Sequence, residues 1–161
     1  MAGYELTEQQ KNMCGAACIE MILKNKGIGN YSQEKIFEKL DVVLEEEEIN
    51  EFFSEQGILL KAEFYPANRI GMAGFYSVPF STAVRSFFSD HRQDDIIANL
   101  WIPEFKREHY AFVDKVYSMS AELRDPDARR KNISVQFDAL AIMMSSKYDG
   151  KERGFILISQ A

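Results

Sequence analysis

A chain of 161 residues, 46% hydrophobic and 27% charged, has the length and apolar content of an ordinary globular protein with a buried core, and it reads as a single domain over residues 1–161. A net charge of −6 and a pI near 5.0 weigh against nucleic acid or an anionic membrane as the main partner, because phosphate binding takes clustered Lys and Arg. No apolar run approaches a bilayer span, and the start, Met1 to Glu5, lacks the basic and apolar regions of a signal peptide, so a cytoplasmic location with no membrane span is expected.

In chain order, the first informative stretch is Gln9-Gln10-Lys11-Asn12-Met13-Cys14-Gly15-Ala16-Ala17-Cys18. It reads as an amide-rich loop that delivers Cys14 to the first turn of a buried helix. Ala16, Ala17, Met21, Leu23 and Lys24 favour that helix, and Gly27 with Gly29 supplies its stop. At the positive end of a helix a thiolate is favoured over a thiol, which points to a nucleophile. The competing reading is a small core residue, since free Cys is among the most buried residue types. Cys18 is read as core. At i and i+4 the two cysteines suit neither a disulfide nor, with only His91 and His109 to complete it, a zinc site. No metal or cofactor is expected.

Ser32 caps a short second helix carrying Ile36, Phe37 and Leu40. Glu45 to Glu48 form the acidic first turn of a third, which buries Ile49, Phe52 and Phe53 and ends at Gly57. Ile58 to Tyr65 suits a strand. The loop after it, with Met72, Phe75 and Tyr76, is unusually apolar, and Pro79 opens a helix with Val84, Phe87 and Phe88 inward. His91 sits in a polar turn and is read as exposed, with no role. Strands are expected at Ile96–Ile102, His109–Val116, Ala121–Arg124 and Gly154–Ser159, with a short helix from Phe137 to Met144. Helices first and strands afterwards imply an α+β domain in two layers.

A cysteine nucleophile needs a base, and the base needs a partner that fixes its tautomer. With two histidines the choice of base narrows to His109, which opens a strand after the polar loop from Pro103 to Glu108. Gly15 would let a substrate approach the backbone closely, and a Gln amide upstream could donate to an oxyanion beside the Cys14 N–H.

Gln, Cys14-Gly15, two small residues and a Met/Leu-rich helix ending in Gly together resemble the nucleophile segment of papain-like cysteine peptidases. The likeness is greatest to the bacteriocin-processing, double-glycine leader peptidases. Joined in order to His109-Tyr110-Ala111-Phe112-Val113, Asp125-Pro126 and Gly154-Phe155-Ile156-Leu157-Ile158, the resemblance covers nearly the whole chain. It implies a helical layer packed on an antiparallel sheet, with the active site in the cleft between. It also implies a peptide or protein substrate, cut after small residues such as Gly-Gly through a thioester. Cys14 would be the nucleophile, His109 the base and then the acid, and Asp125 the residue that orients His109. Asp114 is the runner-up for that last role, too far along the histidine's own strand, and Asp127 is a weaker rival. Relatives often place the oxyanion glutamine six residues before the cysteine, where this chain has Glu8; Gln10, then Gln9, is the nearest amide. The same triad also serves transpeptidation and deamidation, toxins and effectors included, while related domains without the cysteine only dock peptide.

Overall fold

The computed structural model describes residues 13–67, 69, 80–103, 106–126, 132–144 and 150–161. The chain begins with three helices, α1 (Cys14–Asn25), α2 (Gln33–Leu40) and α3 (Glu46–Glu55). Ten of the twelve residues of α1 are buried, from Cys14 to Leu23, so it is a core helix rather than a surface one. Both α1 and α3 end in the same way. Gly27 (φ 73°) and Gly57 (φ 68°) take the left-handed conformation, and paired backbone bonds close each end: Gly27 N–H to Lys24 O (3.0 Å) with Ile28 N–H to Leu23 O (2.9 Å), and Gly57 N–H to Ser54 O (3.1 Å) with Ile58 N–H to Phe53 O (2.8 Å). The second of these turns consumes Ile58, which is why the first strand, β1 (Leu60–Pro66), starts two residues later than its apolar run suggests.

The remaining elements are α4 (Phe80–Asp90), β2 (Asp95–Ile102), β3 (Arg107–Val116), β4 (Ser120–Arg124), β5 (Asn132–Gln136), α5 (Phe137–Met143) and β6 (Gly154–Gln160). The six strands form one antiparallel sheet in the order β1-β6-β2-β3-β4-β5. Side-chain alternation divides its two faces. Ile97, Tyr110, Phe112, Ile156 and Ile158 pack with α1, α2 and α3. Ile96, Ala98, Leu100, Ala111, Val113, Phe155 and Leu157 pack with Val84, Phe87 and Phe88 of α4 and with Phe137 and Leu140 of α5. The expected helical layer on an antiparallel sheet is therefore present. A second helical layer on the opposite face, beyond the two-layer reading, comes from α4 and α5. Met72, Phe75, Tyr76 and Pro79 lie outside the described residues.

β1 is an edge strand, and α3 satisfies its outer backbone. The Asn50 side chain accepts from Ala62 N–H (2.7 Å) and donates to Ala62 O (2.9 Å), while Glu46, one turn earlier, accepts from Phe64 N–H (2.7 Å). Asn50→Ala strips the partners from both the N–H and the C=O of Ala62. It is expected to cost about 2 kcal/mol, read as a lower urea midpoint at unchanged m-value.

Two ties fix α1 against the rest of the fold. Glu20, 7% exposed, accepts from Gln33 N–H at the start of α2 (3.2 Å), and Lys26 reaches Asp95 at the start of β2 (3.0 Å).

Candidate active site

Cys14 is the first residue of α1, and Met13 before it makes no side-chain cap. Among the described residues the first amide to bond back along the helix is that of Ala17, to Met13 O (2.8 Å). Cys14, Gly15 and Ala16 thus form the first turn of the helix, whose dipole presents positive charge to the sulfur. Packing favours Gly15. A Cβ there would lie 2.8 Å from Leu44 Cγ, so a larger residue would push the Leu44 side chain away from the helix start. Leu44 is held in turn by its N–H, which donates to the Tyr110 hydroxyl (3.0 Å). Burial, reinforced by the charge of Glu108, pushes the Tyr110 phenol well above its ordinary pKa, so it remains protonated.

His109 is the third residue of β3, paired with Leu100 on β2, and is 3% exposed. Asp125, fully buried, directly follows β4. The register pairs Arg124 with Phe112, and one further step sets Asp125 opposite Ala111, diagonal to His109 and on the same side of the strand pair. The result is a bond of 2.5 Å between His109 Nε2 and Asp125 Oδ1. With Nε2 committed, Nδ1 is the nitrogen left for the Cys14 thiol, which lies within hydrogen-bond reach of the imidazole.

Burial by itself would lower the pKa of His109. The bond to Asp125 and the contact with Cys14 outweigh it and raise the value to about 9. A buried imidazolium between a carboxylate and a sulfur can exchange its Nδ1 proton with the thiol while the carboxylate fixes the ring. Such an arrangement is suited to acyl transfer through sulfur.

The other sequence candidates lie apart. Asp114, at a bulge in β3, accepts from Arg124 Nε (3.0 Å). His91 corrects the expectation of an exposed residue: its ring is half-buried, 4.7 Å from that of Phe87 and 5.4 Å from that of Tyr65, with Nδ1 3.4 Å from Asp94 Oδ2. Phe87 lies one helical turn before His91, a spacing the sequence shows, whereas Tyr65 comes from β1, of which the polar turn around His91 gave no sign. Cys18 is fully buried, and burial, then the nearness of Cys14 and Asp125, pushes its thiol up and out of reactivity. Both cysteines are free. Among the described residues no group of three His, Cys, Asp or Glu could hold a metal ion, and no helix is long and apolar enough to cross a membrane. Gln9, Gln10, Glu8 and Asp127 lie outside the described residues. Sequence reasoning missed Leu44 and Tyr110; the one available signal was that Tyr110 follows His109.

No family model and no curated protein matches the sequence. Solved structures do match the fold. The chain superimposes over 99% of its length on the whole peptidase domain of Streptococcus ComA, a bifunctional ABC transporter involved in a quorum-sensing pathway, with a TM-score of 0.60 and 14% identity. The chain has the fold of papain-like, double-glycine peptidase domains. A second structure of this fold, a double-glycine-motif protease from an AMS/PCAT transporter solved with the leader peptide, matches with a TM-score of 0.57 and 14% identity, covering 99% of this chain and 94% of that one.

Proposed function

We propose that the chain is a cysteine peptidase working through Cys14, His109 and Asp125. The observation that carries this reading is the buried His109–Asp125 bond with the Cys14 thiol on the free side of the ring. In the first step His109 Nδ1 holds the thiol proton and the sulfur attacks the scissile carbonyl carbon. The resulting oxyanion is held by the Cys14 N–H and by the side-chain amide of Gln10 or Gln9. The C–N bond then breaks, the leaving amine takes the proton from His109, and a thioester remains. His109 next deprotonates water, which attacks the thioester, releasing the carboxylic acid and restoring the thiol. Asp125 keeps the ring oriented throughout. A peptide substrate is also supported by the fold neighbour solved with its leader peptide.

One observation favours a second reading. Cys14 is 8% exposed, as it would be in a domain that docks peptide without cutting it. Iodoacetamide labelling with mass mapping separates the two. A peptidase labels at Cys14 and not Cys18 at neutral pH, and His109→Ala slows that labelling at least about tenfold. Equal labelling of both cysteines, or indifference to His109→Ala, overturns the catalytic reading in favour of the docking module. Cys14→Ala removes the nucleophile and with it all cleavage.

A further inference from the structure

A groove of about 660 Å³ opens beside the candidate site, between the segment entering α3 and the sheet. Two of its lining residues lie close to Cys14: Leu44 closes over Gly15, and Tyr110 is near enough to Cys14 to feel its charge. Its charge is one-sided, with five carboxylates (Glu45, Glu46, Glu47, Glu108 and Glu152) against one ammonium, Lys151. Within the fold, Glu46 accepts from Phe64 N–H and Glu108 lies 3.7 Å from Arg153 Nε. Glu45 and Glu47 stand exposed on the rim.

The floor provides a separate observation. Asn99 is 6% exposed and lines the groove, and its Oδ1 is buried with no hydrogen-bond partner among the described residues. Leaving a buried amide oxygen in that state is unfavourable, and a donor arriving from the groove would relieve it. Its register partner across β2 and β3 is Tyr110. The Tyr110 oxygen accepts from Leu44 N–H, and among the described residues its own proton has no acceptor. One acceptor and one donor side by side match the N–H and C=O that an extended peptide presents.

We propose that this groove holds the substrate chain on one side of the scissile bond in extended form, with a lysine or arginine side chain on the Glu45–Glu47 rim and Asn99 bonded to the peptide backbone. The inference rests on the peptidase reading for its link to a scissile bond, whereas binding can be measured without cleavage. The probes are fluorescein-labelled alanine–glycine peptides bearing a single Arg or a single Glu, moved one position at a time. Binding to the full-length Cys14→Ala protein is read by anisotropy. At one position Arg is expected to bind about tenfold more tightly than Glu at low salt, with the gap closing at high salt because the rim is exposed. Glu45→Lys with Glu47→Lys, both at the surface, should reverse the preference. Asn99→Ala should weaken both peptides alike, by about tenfold. Equal affinity for the Arg and Glu peptides at every position, no binding of either, or a preference that survives the two charge reversals overturns the proposal. Cleavage by the wild-type protein is read in parallel. Cutting without charge preference removes the groove assignment and leaves the peptidase reading; charge-selective binding without cutting does the reverse.

Discussion

Asp125→Ala is expected to lower kcat/KM for peptide cleavage roughly a hundredfold to ten-thousandfold, and at the same time to change how the stability of the protein responds to alkali. The activity loss follows from geometry. The imidazole is held by one bond, from Nε2 to Asp125 Oδ1, and without it neither the tautomer nor the ring angle at Cys14 is fixed. The stability effect follows from linkage. His109 moves from an ordinary value of 6.5 to about 9 in the folded protein, so the folded state holds the proton more tightly than the unfolded chain. That contribution is complete below about pH 6.5 and is lost as pH rises through about 9. Over the window it amounts to about 3 kcal/mol. In Asp125→Ala burial is left to act against the charge with less opposition, so urea midpoints between pH 7 and 9 should flatten relative to wild type. An unchanged alkaline slope in the variant would show that the raised pKa of His109 does not come from Asp125. A variant that cleaves as fast as wild type would remove Asp125 from the mechanism.

The helices were readable because each carries its own punctuation: Ser32 before α2, the acidic turn before α3, and Gly27 and Gly57 after α1 and α3. β2 and β6 were readable because both faces of each are covered by helices, which makes their sequences largely apolar. β5 was missed for the opposite reason. It is the edge strand opposite β1, and in Asn132–Gln136 only Val135 is buried, so no apolar run marks it. β3 begins at Arg107 and not at His109, because Arg107 and Glu108 are polar yet pair with Ile102 and Trp101. The loop-to-helix pattern brought Cys14 under consideration, the scarcity of histidines His109, and the family resemblance Asp125; register explains why Asp125 reaches His109 where Asp114 does not. The surroundings of the site were not legible. Leu44 and Tyr110 are 66 residues apart, and Tyr65 beside His91 comes from β1. Contacts of this kind depend on which elements the fold brings together, and local periodicity carries no record of them.

Gly154→Ala is expected to be the most damaging single-methyl change among the glycines considered, costing about 3 kcal/mol and lowering Tm by about 10 °C. Gly154 opens β6 and pairs with Pro66 at the end of β1. A Cβ on it would lie 2.8 Å from Pro66 Cα and 2.9 Å from Ala67 N, and would collide with Tyr65 O. All three are backbone atoms, so no rotamer change relieves the clash. β1 cannot simply retreat either, because Ala67 N–H donates to Arg153 O (2.8 Å) one residue before the substitution. Moving β6 instead would disturb β2 on its other side. Gly29 is the control: an added Cβ meets nothing within 4 Å there and the residue has no positive φ, so Gly29→Ala should stay within about 0.5 kcal/mol of wild type. The damage should also reach the groove. Arg153, 1% exposed, lies over the Trp101 ring at 5.1 Å and beside Glu108, and the chain entering β6 supplies Lys151 and Glu152 to the groove wall. If Gly154→Ala and Gly29→Ala melt together, the β1–β6 junction has slack; if Gly154→Ala alone falls, that close backbone approach anchors both the sheet and the wall of the groove.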